Sequence, residues 1–348
     1  MDCQSWPVND IFLSKFNYLF LQDHDALELN GANLGDLTND IHPLFSRENF
    51  LVFDEKYQVL MPTLRLASRI LTDMSSITFF HALIYGRNDI LGGGMTETYG
   101  RPCFTFNRQE TPLTPLQFKD TFDTLENLAS FVKFRTNPLL TTMNSWGCTS
   151  GNADIVHPMG GLGSYIDINP IFLYHLGSGR LSVSERLRIQ LILAITLCHE
   201  CTHAIGFAAY PRDPDEIGAA IVEPFFENHR LAELGSAFED FVFGGIIDPM
   251  AEQTDCCYGL IIEGWPGNRV PVTREGAVPV PVRTDIPVPA FSTRYLIPMT
   301  WVQAVHSTAF WDDVARLKET SLKAPTTTGY RFVNSDSGHI YEEGYVLE

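Results

Sequence analysis

From Leu187 to Ala209 the chain has no proline, and its only glycine is Gly206. Leu187, Ile189, Leu191, Ile192, Leu193, Ile195 and Leu197 distribute hydrocarbon all round such a segment, so it reads as a helix buried on most sides. Just upstream, Ser182 followed by Glu185 is a capping-box pattern that places the helix start. Into the apolar run Leu191–Phe207 the sequence inserts His199-Glu200-Cys201-Thr202-His203. Two histidines and a glutamate inside a buried helix are costly unless they are paired or bind a cation. Histidines four apart share one helix face, one above the other, so both imidazoles can reach a single ion. Glu200 adjoins the first histidine and can reach a water at that ion without ligating it. The residue types and spacing therefore point to metal-assisted hydrolysis, with His199 and His203 as ligands and Glu200 as general base. The bland alternative, histidines that are merely satisfied polar groups, leaves their placement in a hydrocarbon helix unexplained.

His199, Glu200 and His203, with Gly206 three residues on, resemble the active-site helix of the zincin metallopeptidases. The metzincin branch would need a further histidine at position 209, which is Ala. What remains resembles the gluzincin branch, in which a downstream glutamate from a second helix completes the metal shell. The resemblance implies an α+β zincin-like fold with the active-site helix beside a small sheet and a mainly helical second subdomain. It also implies Zn²⁺ as cofactor and peptide bonds as substrate. The same ligand set accepts other divalent metals, Fe²⁺ among them.

Three glutamates compete for the third position. Pro224 suits a helix start and Gly244-Gly245 its end, with turn chemistry at 211–215 in between. Glu223 stands twenty positions after His203, a spacing that resembles thermolysin-like enzymes, but it precedes a proline. Glu227 would then lie one turn further on. Glu233 reads as helix-interior and is followed by Gly235, Ser236 and Ala237, small residues that let two helices approach closely. Glu233 is preferred, Glu223 second, Glu227 third. The glutamates that do not ligate can orient the imidazoles. The stretch also looks similar to uncharacterised fungal H-E-x-x-H proteins, which suits a rival reading: a metalloenzyme acting on a small molecule in secondary metabolism. A third reading is a non-catalytic, metal-stabilised binding protein. For an oxyanion-stabilising group the candidates are His306 first, then Tyr258 and Tyr295.

The chain has 348 residues and a formal net charge of −18. That balance repels phosphate backbones and argues against a nucleic-acid partner, leaving a peptide or small-molecule substrate. The first residues lack a basic and apolar signal pattern, and no stretch reaches about eighteen uninterrupted apolar residues. The expectation is a cytoplasmic location with no membrane association. Seven cysteines, an odd number, do not suggest a disulfide framework. Cys198 and Cys201 read as packing residues, and Cys256-Cys257 as adjacent thiols. No feature bears on oligomeric state.

Two subdomains are expected, 1–208 and 209–348. Helices are predicted at 57–71, 114–134 and 299–322, and a short strand at 103–106. Residues 137–163 read as irregular. Alternation over 164–169 predicts a strand, and by the resemblance 160–169 is the candidate substrate-binding edge. Val-Pro pairs over 270–289 predict an extended loop. Gly92-Gly93-Gly94 lacks the spacing of a phosphate-binding loop. The polar tail from Thr326 carries only weak strand signals.

Overall fold

The computed structural model describes residues 18–86, 88–92, 94–95, 98, 102–210, 223–250, 259–265, 280–317, 322–334 and 340–347. Cys3, Cys256, Cys257, Tyr258, the turn at 211–215 and residues 270–279 lie outside them. The described helices are α1 Tyr18–Asp23, α2 Asp54–Thr72, α3 Met74–Tyr85, α4 Pro115–Leu128, α5 Leu139–Thr142, α6 Ile171–Gly177, α7 Val183–Ala209, α8 Leu234–Phe243, α9 Met299–Ala304 and α10 Thr308–Leu317. The strands are β1 Asn88–Ile90, β2 Phe104–Phe106, β3 Val132–Thr136, β4 Gly147–Val156, β5 Leu162–Ile168, β6 Phe225–Phe226, β7 Ile246–Pro249, β8 Leu260–Glu263, β9 Phe291–Ile297, β10 Thr328–Asn334 and β11 Ile340–Leu347. The class is α+β.

α7 is the spine of the molecule. Both halves of the capping box form: the Ser182 hydroxyl accepts from Glu185 N–H, and the Glu185 carboxylate accepts from Ser182 N–H. The helix then runs 27 residues, most of them buried. It is also the one described helix long and apolar enough to cross a membrane, but 83% of that apolar window is buried inside the protein. One apolar core, from Leu44 to Ala324, gathers α2, α3, α7 and α8 with parts of the sheets, and so draws on both sides of residue 208.

The described strands form three sheets. The first pairs β1, β2 and β6. The second has the order β3-β5-β4, with β3 parallel and β4 antiparallel to the central β5. The third is a five-stranded antiparallel sheet, β11-β10-β9-β8-β7.

Several expectations change here. The second half is not mainly helical, because the polar tail forms the β10–β11 hairpin and extends the five-stranded sheet. The helix expected to 134 ends at Leu128, and 132–134 belong to β3. The helix expected over 299–322 is broken between Ala304 and Thr308. The expected strand at 164–169 exists as β5, but it is central and paired on both sides, so it offers no free edge. The edge strands are β3 and β4, and β4 arises within the Gly-, Asn- and Ser-rich stretch read as irregular. Cys198 and Cys201 are buried thiols, as expected. Cys148, on β4, is instead disulfide-bonded. Disulfides persist in oxidising compartments, so the cysteine pattern gives the cytoplasmic expectation no support.

Candidate metal centre

His199 and His203 face the start of α8. Close approach there depends on Gly235, where a Cβ would come within 2.3 Å of the His199 ring. Gly206 plays the reciprocal part, since a Cβ there would meet Leu234 Cδ1 at 2.6 Å. The small residues after Glu233 thus do what the sequence suggested: they let the second helix dock against the first.

Glu233 is not in the helix interior. It is the N-cap of α8, because the segment from Pro224 forms β6 and a turn rather than helix. Its Oε2 accepts from the Ser236 N–H, and Glu223 Oε2 accepts from the Leu234 N–H at 2.8 Å. Helix N-termini leave such N–H groups without partners and carry partial positive charge, so two carboxylates settle there. Each glutamate keeps its other oxygen for the histidines.

Glu233 Oε1 lies 2.8 Å from His203 Nε2 and 3.3 Å from His199 Nε2, and the two Nε2 atoms are 3.2 Å apart. On the far side of each ring a carboxylate holds Nδ1. His199 Nδ1–H donates to Glu239 Oε1 at 2.7 Å, and His203 Nδ1–H donates to Glu223 Oε1. This arrangement brings both Nε2 atoms to one point, together with an anionic oxygen. Zinc bonds of about 2.0–2.2 Å in tetrahedral geometry would place ligand atoms roughly 3.3 Å apart; two of the three separations, 3.2 and 3.3 Å, match that, and the 2.8 Å between His203 Nε2 and Glu233 Oε1 is shorter. His199, His203 and Glu233 could therefore hold a metal ion. Glu223 reaches the site from behind His203 rather than at the point of convergence. Glu227 is elsewhere, paired with Arg108 at 3.1 Å.

The electrostatics follow from burial and pairing. Burial would lower the His199 imidazole, but Glu233 and Glu239 outweigh it and raise it to about 10. His203 is likewise raised against burial, by Glu223 and Glu233. Burial would raise Glu233, and the two imidazoles instead hold it well below the ordinary range. Glu200 goes the other way: burial raises it, and the imidazoles and Thr149 only partly offset that. A carboxylate so raised is a better base than an exposed one.

A cavity of about 100 Å³ opens over these groups. Trp146, Ile192, Ile195, Ile246 and Ile247 make its apolar walls, and Asp248 adds a further carboxylate. Glu200, Glu239 and Gly147 also line it. Family models, curated proteins and solved structures contain no match to this chain.

His306 is not among the cavity's lining residues. It is buried after α9, and its Nδ1–H donates to Val302 O at 2.7 Å. Tyr295 lies on β9 beside a different cavity. Sequence reasoning passed over Glu239, Thr149 and Asp248. For Glu239 a signal existed: it follows Gly235 by four, the spacing that stacks side chains on one helix face.

Proposed function

We propose that this protein is a metal-dependent hydrolase of zincin type, with zinc as its ion and peptide bonds as its substrate. The observation that carries the reading is the convergence of His199 Nε2, His203 Nε2 and Glu233 Oε1 beside the buried Glu200. Three protein donors, not four, would hold the ion, the donor count of catalytic rather than structural zinc sites. A divalent cation held by His199, His203 and Glu233 would supply Lewis acidity toward a water and a carbonyl. Glu200 takes the proton from the attacking water and delivers it to the leaving amine. Glu223 and Glu239 hold the imidazoles in the tautomer that presents Nε2.

The layout also supports the zincin comparison. The edge strand β4 runs against α7, antiparallel to β5, and a free edge can pair with an extended peptide. The small cavity favours the rival, a small-molecule substrate at the same centre. One experiment separates them: metal content and turnover of a mixed peptide library, for wild type and Glu200→Gln. Peptide cleavage by the wild type, lost in Glu200→Gln with the metal retained, is the expected result. A metal-loaded wild type that cleaves no peptide moves the assignment to the small-molecule reading. A protein that takes up no metal removes both.

A further inference from the structure

The two oxygens of the Glu200 carboxylate are not equivalent. Oε2 lies 2.7 Å from the hydroxyl of Thr149, on the edge strand β4. The same hydroxyl is 2.9 Å from the Glu200 carbonyl oxygen, so its single proton is shared between two acceptors on one residue. Oε1 lies over Gly147, two positions earlier on the same strand, where a Cβ would come within 2.6 Å of it. A residue with a side chain at 147 would take the space that Oε1 fills. Thr149 is itself buried, at 6% exposure, and β4's register against β5 pairs it with Ile166.

We infer that Thr149 is a positioning residue: it tethers Glu200 Oε2 so that Oε1, in the space left by Gly147, is the atom that accepts the proton. The inference rests on the role proposed above for Glu200. The physical reason is orientational. A glutamate side chain has three rotatable bonds, and a free carboxylate at this depth would sample several rotamers. A fixed partner on a strand holds the base in one of them. It does so without an ion pair, which would pull the carboxyl down and weaken it as a base. The neutral hydroxyl therefore fixes orientation at small cost in basicity. Proton accounting is simple: the water proton passes to Oε1, the remaining hydroxide bonds to the carbonyl carbon, the carbon–nitrogen bond breaks, and the same proton moves from Oε1 to the leaving nitrogen.

The test compares Thr149→Ala with Thr149→Ser, which differ by one oxygen, in crystals of the full chain grown with zinc. In the alanine protein the Glu200 carboxylate should leave its place over Gly147 by about 1 Å or more, and in the serine protein it should stay. On the peptide library the alanine protein should lose about ten- to a hundred-fold in kcat, with KM and zinc Kd unchanged, and serine should restore it. A Glu200 carboxylate in the same place in the alanine and serine proteins overturns the inference, as does equal kcat in the two. A wild type that is inert or takes up no zinc counts against the function proposed above. The position of Glu200 in the two variants still decides the role of Thr149.

Discussion

Glu239 accepts the Nδ1–H of His199 at 2.7 Å from a residue forty positions further along the chain. The same carboxylate accepts the Ile247 N–H with its second oxygen, so one side chain joins His199 to the strand β7 that lines the cavity. Glu223 serves His203 in the same way and ties it to the first turn of α8. Removing either charge should loosen a ring without removing a ligand. Glu239→Gln and Glu223→Gln are each expected to weaken zinc binding about 10–100-fold. Competition with a chromophoric chelator measures this directly. Wild-type affinity in both variants would show that the carboxylates do not orient the rings.

The helix α7 was legible in the sequence because every local signal agreed: a capping box, unbroken apolar residues, and two histidines on one face. Glu233 was legible as a neighbour but not as a helix cap. Glutamate is an uncommon N-cap, and Pro224 offered a more usual helix start. That one displacement of the start decided which glutamates could turn back toward the histidines. β4 was hidden because its residues are small and polar. Such residues are poor strand formers alone and hold here through pairing with β5 and packing on α7. The β10–β11 hairpin was hidden for a related reason, since its partner in the sheet, β9, is remote in sequence.

Gly235 gives the sharpest packing test. Glycine to alanine inside a helix ordinarily stabilises by about 0.5–1 kcal/mol. Here the added methyl would lie 2.3 Å from the His199 ring, and either the ring or α8 must move. Gly235→Ala is expected to destabilise by about 1–3 kcal/mol and to lower metal content. Thermal unfolding and metal analysis of the purified variant check both. A variant as stable as wild type with full metal would mean that the helices are not in this contact.

The disulfide at Cys148 makes a counting prediction. The chain has seven cysteines, and one bond engages two of them. Denatured, unreduced protein should therefore take up no more than five alkylating groups by intact mass, and seven after reduction. Seven before reduction would remove the bond. Cys148 sits between Gly147 and Thr149, the two residues that contact Glu200. Reduction is accordingly expected to lower the melting temperature.

His306 distinguishes a structural histidine from a catalytic one. Burial lowers its imidazole to about 4 from an ordinary 6.5, although the bond to Val302 O opposes the shift. Above pH 6.5 both folded and unfolded states hold it neutral. Between 6.5 and 4 only the unfolded chain takes up the proton, so stability falls as the pH drops through that window. The loss integrates to about 2–3 kcal/mol by pH 4.5. His42 and His229, also lowered to about 4 by burial, add losses of the same sign. In His306→Gln the share due to this residue should vanish, so the urea midpoint should fall less between pH 7 and 4.5 than in wild type. Zinc content and turnover at pH 7 should be kept, because the residue does not line the cavity. If turnover collapsed while the acid sensitivity stayed the same, His306 would belong to the chemistry after all.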